Sequence, residues 1–179
     1  MSGGGGGIAV PNALRIPVAV LAERRPGATP WAEWAWRAVE VLESAIPSLP
    51  PWTVLRQAEG RTLFLAGKAE VALYPSDTPN YRENLRADPP RVWVVLRPVE
   101  APPGMELHAV TVDSGEAEVY ADSGADLLES LPMPPGLRAA TEEFVARHHV
   151  ERVFHKRRRG GPGPRGRRCR GPRGGKGGG

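Results

Sequence analysis

Apolar and polar residues alternate in short runs along most of this chain, and the spacing turns helical only near its end. After a glycine-rich start, Ile16 to Arg25 is rich in β-branched residues and reads as a strand, closed by the turn signal Pro26-Gly27. Residues 29–46 carry two patterns at once. Thr29-Pro30 resembles a helix start, and Trp34, Ala38, Val41 and Ala45 follow helical spacing. Yet Trp34, Trp36, Ala38 and Leu42 share one strand parity, and Ala35, Val39 and Val41 share the other. The strand reading, Glu33 to Leu42, is preferred, and Pro47, Pro50 and Pro51 then enforce a loop.

Trp52 to Gln57 and Arg61 to Tyr74 read as strands around Glu59-Gly60, with a break expected near Gly67-Lys68. A short helix is expected over Thr78–Leu85, with Asp77 as its cap and Pro79 in its first turn, where a missing N–H is harmless. RVWVVLR (91–97) is apolar on both parities, the mark of a central strand, and this places Trp93 in the core. Leu107 to Val112 reads as a further strand, Ser114 as the cap of a helix to about Ala121, and Leu127 to Leu131 as an edge strand.

The last helix, from Pro135 to His149, has the clearest pattern. Leu137, Ala140, Thr141, Phe144, Val145 and His148 line one face, and Glu143 and Arg147 stand an i,i+4 pair apart on the other. Together these elements predict an α+β domain. Its sheet is mostly antiparallel and open to curling toward a barrel, and the C-terminal amphipathic helix packs on it. The expected organisation is a disordered glycine-rich head over 1–13, one domain over 14–155 and a disordered basic tail over 156–179.

Charge changes that picture at the C-terminus. The chain has 24 basic and 20 acidic residues, a formal +4, yet ten of the basic residues lie after position 155. Residues 1–155 therefore carry a net −6. Lys156, Arg157, Arg158, Arg159, Arg165, Arg167, Arg168, Arg170 and Arg173 form a candidate polyanion-binding tail. Arginines can fork onto phosphates while glycines let the backbone follow them. The tail has no aromatic residue to stack bases, so non-specific nucleic-acid binding stands beside a solvated low-complexity end.

The sole cysteine, Cys169, lies in that tail, which rules out an intramolecular disulfide. Ile8 to Ala22 is too short to span a bilayer and lacks the basic start of a signal peptide. A cytoplasmic protein with no membrane partner is expected.

No nucleophile elbow, dinucleotide fingerprint or phosphate-loop lysine motif occurs. The adjacent His148 and His149 point about 100° apart on a helix and are not spaced as an i,i+4 metal pair. No catalytic residue, metal or cofactor is therefore assigned. Trp31, Trp34 and Trp36 cluster in sequence, and tryptophan is enriched where proteins dock. With His148 and His149 they are the candidate partner-binding residues.

Four segments carry a family likeness: ERRPGATPWAEWAWRAVEVL (23–42), RVWVVLRP (91–98), VYADSG (119–124) and LPMPPGLRAATEEFVARHHVERVFHKRRR (131–159). In this order they resemble an uncharacterised proteobacterial domain family that is typically encoded beside formate dehydrogenase genes. The likeness runs over about residues 15–159. Formate dehydrogenases of that kind carry a molybdenum or tungsten pterin cofactor and iron–sulfur clusters, and they need dedicated accessory proteins. The resemblance thus implies a non-catalytic maturation or assembly factor that docks on a formate dehydrogenase subunit or its apo-form. Alternatives are a nucleic-acid-binding or regulatory protein acting through the tail, and an enzyme of molybdopterin metabolism. The last would need a concave pocket with convergent Arg and acidic residues, such as Arg37, Arg97 and Asp122.

Overall fold

The computed structural model describes residues 10–150. The expected disordered head and tail fall almost wholly outside them. Seven strands and three helices follow in the order β1 (Leu14–Pro26), β2 (Trp34–Leu42), β3 (Thr53–Ala58), β4 (Arg61–Leu73), α1 (Thr78–Leu85), β5 (Arg91–Pro98), β6 (Met105–Thr111), α2 (Ser114–Ser123), β7 (Leu127–Pro132) and α3 (Pro135–His148). The fold is α+β, with two antiparallel sheets ordered β2-β1-β4-β3 and β6-β5-β7. The expected central strand is β5, and β7 is the expected edge.

The sheets meet along two seams, β4 against β6 and β2 against β7, and no ladder closes either one. The curl toward a barrel is therefore present, but the barrel is not closed. Val18, Val20, Ala22, Val71 and Leu73 of the first sheet face Val92, Val94, Leu96 and Val110 of the second across one apolar core. Trp93 departs from expectation. It has the opposite parity to Val92 and Val94, is half-buried, and lies outside that core. An all-apolar run gives no parity signal, so the larger side chain does not reveal which face it takes.

Bulges explain where period-two reading strains. Leu21 pairs with Glu40 but Ala22 pairs with Ala38, so Val39 is an extra residue in β2. The bulge turns both Ala38 and Val41 inward although they are three apart. A bulged strand thus imitates the i,i+3 step of a helix, which is why 29–46 carried two patterns. On the other side of β1 the extra residue is Ala66, beside Gly67, whose φ is +155°. The break expected at Gly67-Lys68 is this irregularity inside a continuous strand.

The helices form the end of the domain beside the start of β1 and the end of β4. Tyr81 of α1 and Phe144 of α3 meet edge to face at 6.2 Å, and Leu137 and Thr141 are buried on the same α3 face. The Glu143–Arg147 pair closes at 3.0 Å, and Arg138–Glu142 forms a second one. For α2 the cap is Asp113, not Ser114. Its Oδ1 accepts from the Gly115 and Glu116 amides, and Gly124 ends the helix in the left-handed region. Two cap-competent residues stand side by side there, and spacing alone does not choose between them. Asp77 precedes α1 as expected but makes no side-chain cap bond.

Candidate functional site

The end of the domain away from the helices is built by two hairpin tips. Between β1 and β2 the chain turns through 27–33, closed by the Gly27 amide donating to the Glu33 carbonyl at 3.1 Å. Gly27 is required by space. A Cβ there would fall 1.7 Å from the Ala32 carbonyl oxygen. The second tip, Glu59-Gly60 between β3 and β4, comes up beside Pro26.

On the inward face of this end, Trp36, Trp52 and Phe64 pack ring to ring at 5.4–5.7 Å. Arg24 lies among them. Its guanidinium carbon is 4.1 Å from the Trp34 ring centre, 5.2 Å from Phe64 and 5.6 Å from Trp36. Such stacking on ring faces is a cation–π arrangement. Arg24 makes no ion pair among the described residues, and its Nε is buried without a hydrogen-bond partner. Glu23, next in sequence, cannot serve it because adjacent strand residues point to opposite faces. Glu23 instead leans toward Arg37 at 3.4 Å and Arg61 at 4.0 Å.

The three tryptophans singled out in the sequence thus divide by role. Trp36 is part of the packed cluster. Trp34 covers Arg24 and remains 38% exposed, and Trp31, in the turn, is 88% exposed. Sequence reasoning missed Arg24, Trp52 and Phe64 as members of this constellation. Only the cross-strand register, Arg24 opposite Trp36 and Ala22 opposite Phe64, brings them together.

His148 and His149 lie at the other end of β1. His148 packs on Phe144 at 4.5 Å and lines a groove of about 430 Å³ with Asn12, Leu14 and Arg147. The 13 residues of β1, rising about 3.3 Å each, put roughly 40 Å between this groove and the tryptophans. His149 turns back to α1. Its Nε2 accepts from Arg82 Nη1 at 3.1 Å, because a guanidinium only donates. The ring proton then sits on Nδ1 and is donated to Thr78 Oγ1 at 3.2 Å, and Thr78 donates in turn to the Pro75 carbonyl. This chain fastens the end of α3 to α1. The candidate partner-binding residues therefore form two separate places, one of which is an internal joint.

Beneath that joint, Asn84 bolts α1 to the second sheet. Its Nδ2 donates to the Arg91 and Val112 carbonyls, and its Oδ1 accepts from the Arg91 amide. The Tyr81 hydroxyl accepts from the Tyr74 amide, and burial pushes its pKa well up. The N-terminus of α3 has no cap of its own. Glu43, just past β2, reaches across to accept from the Gly136 and Leu137 amides at 2.9 and 2.6 Å. Gly136 leaves the room its carboxylate fills, since a Cβ there would meet Oε2 at 2.6 Å.

The remaining polar clusters lie on the outer side of the second sheet. Arg97 forks onto Asp126 through Nε at 2.8 Å and Nη2 at 3.1 Å, and these bonds hold the carboxyl below the ordinary aspartate range. His108 is the bulged, exposed residue of β6, with its ring edge on Tyr120 at 5.6 Å. A groove of about 310 Å³ follows the β4/β6 seam, with Lys68, Glu70, His108 and Glu116 on its rim. Arg37 pairs with Glu23 and Arg97 with Asp126, and among the described residues Asp122 forms no ion pair with either arginine. Among the described residues no three His, Cys, Asp or Glu converge as a metal set, and no helix is long and apolar enough to cross a membrane.

The polyanion-binding candidates Lys156 to Arg173 lie outside the described residues. No curated protein and no solved structure matches the chain. A family match covers residues 17–158, so it begins inside β1, takes in the other strands, the helices and the first basic residues, and stops before Arg159. On that match the chain belongs to the DUF3305 family, whose description is "Protein of unknown function".

Proposed function

We propose that this protein is a non-catalytic accessory factor that acts by docking on another protein through its β1–β2 hairpin. The observation that carries the reading is the hairpin end itself. Trp31 stands almost wholly in solvent, and Trp34 is partly exposed over an arginine with no carboxylate partner. Exposed tryptophan beside a half-buried arginine has the composition of an interface centre. The partner follows from the family resemblance: a subunit of a molybdenum- or tungsten-dependent formate dehydrogenase, bound during its maturation. Cofactor insertion would then be the enzyme's own chemistry, and this chain would hold the apo-form in a competent state.

The test is affinity purification from the native cells with nuclease present, comparing the wild type with a W31A/W34A double variant by mass spectrometry. Formate dehydrogenase activity of the same cells is measured in parallel. Retention of formate dehydrogenase subunits by the wild type, lost in the double variant together with activity, is the expected result. Equal retention by both would remove the hairpin from the reading. Loss of all partners on nuclease treatment would move the function to the basic tail and nucleic acid.

A further inference from the structure

The docking reading leaves open what chemistry the hairpin end recognises, and the charges there narrow it. Residues 1–155 carry a net −6, and by strand register Arg25, Arg37, Arg56 and Arg61 share the face of Glu23, whereas Arg24 takes the ring face. The ring face therefore presents a cation with no carboxylate beside it. Arg24 is fixed by three rings that restrict its rotamers but satisfy none of its donors. A guanidinium held in this way has lost part of its freedom before any partner arrives, which lowers the cost of forming a fork. The contrast is Arg97, equally planar and placed on a strand, whose Nε and Nη2 both donate to Asp126.

We infer that the hairpin end recognises an acidic segment of a partner protein, one carboxylate of which forks onto the terminal Nη groups of Arg24 while an apolar neighbour lies on Trp31 and Trp34. This rests on the docking reading above and adds the partner's chemistry. A nucleic-acid strand fits less well. Trp34 already has Arg24 over one face of its ring, and Trp36 and Trp52 are packed against each other and Phe64, so Trp31 and the exposed part of Trp34 offer no run of faces for successive bases. Glu33 and Glu59, at the two hairpin tips, would also oppose a run of phosphates, whereas a single carboxylate can be seated between them.

A random peptide library displayed on phage tests this with the full-length protein. Selection is run on the wild type and on the W31A/W34A variant. The expected result is that wild type alone enriches peptides with Asp or Glu next to an aromatic or aliphatic residue. One such peptide, synthesised, should bind R24Q about tenfold or more weakly than wild type, with R24K in between because charge is kept and the fork is lost. Replacing the peptide's own acidic residue by its amide should cost the same factor on wild type and nothing more on R24Q. That last comparison on the unaltered protein stands even if R24Q folds poorly.

Peptides enriched without an acidic residue, or binding R24Q as well as wild type, overturn the carboxylate assignment and leave docking intact. Peptides binding W31A/W34A as tightly as wild type, or no enrichment at all, overturn docking and this inference together. A single-stranded DNA oligonucleotide that binds in a Trp31-dependent way and displaces the peptides would assign the site to nucleic acid instead.

Discussion

The two ends of β1 treat their polar groups in opposite ways. At the helical end almost every buried polar atom is spent on the protein itself. Asn84 makes three bonds to two strands, Tyr81 and His149 each find partners, and Glu43 caps a helix that begins more than ninety residues later in the chain. At the hairpin end a cation is packed among rings with no carboxylate, and a tryptophan stands in water. Buried polar groups are costly unless bonded, so the first end is arranged for stability. The second leaves a guanidinium without a carboxylate and an aromatic side chain exposed, an arrangement that a partner would complete. Function, on this contrast, is expected where the fold leaves its bonding unfinished.

The sharpest way to break the comparison is at Asn84. In N84A the Arg91 amide and the Arg91 and Val112 carbonyls lose their partner, and the helix loses its anchor to the second sheet. The expected loss is about 2–4 kcal/mol, read from urea unfolding, because several buried groups are stranded at once. If N84A were nearly neutral, the helical end would not be the stabilising one. Next in size is E43A, which uncaps α3 and should cost about 1 kcal/mol, with E43Q recovering part through its remaining oxygen. A melting curve for E43A that overlays the wild type would mean that water caps the helix equally well.

Much of this was legible from residues. Element positions came from period two, from prolines and from the α3 face, of which Leu137, Thr141 and Phe144 are buried and Ala140, Val145 and His148 half-buried. The edges that meet but do not pair, β4 with β6 and β2 with β7, are decided by residues far apart in sequence and leave no local pattern. Trp31 and Trp34 could be singled out because tryptophan is rare and large. Arg24 could not, because an arginine near a strand end normally reads as a solvent-facing residue. Its place among the rings depends on a register set across three strands and shifted by a bulge at Val39. Conversely, adjacent histidines catch the eye as chemistry, yet His149 is fastening two helices.

Arg97 and Arg24 allow a smaller test of the same contrast, since one has a carboxylate and the other has none. The Asp126 side chain is 1% exposed and its pKa is held below the ordinary 3.8 by the Arg97 fork. A depressed acid contributes stability that is fully present above its unfolded pKa and is lost as pH falls through the lower folded value. The stability gap between wild type and D126N should therefore be constant from neutral pH down to about pH 4 and shrink below it. A gap that stays constant to pH 2 would show that the fork adds nothing through charge. R24Q offers no acidic partner to titrate, so its gap to wild type should not change over that range.

The smallest expected effect on stability is at Trp31, and it is the most informative about function. An exposed side chain in a turn contributes little to folding, so W31A should unfold within about 0.5 kcal/mol of the wild type. Trp34 should cost more, because removing it uncovers Arg24 and part of the ring cluster. If W31A alone weakens partner binding at least tenfold with no change in unfolding, binding and stability have been separated at one residue. If instead it lowers stability by more than 1 kcal/mol, Trp31 must be packed in solution against something within this chain. The hairpin would then resemble the helical end, with its aromatic surface already used, and the case for a partner there would fall.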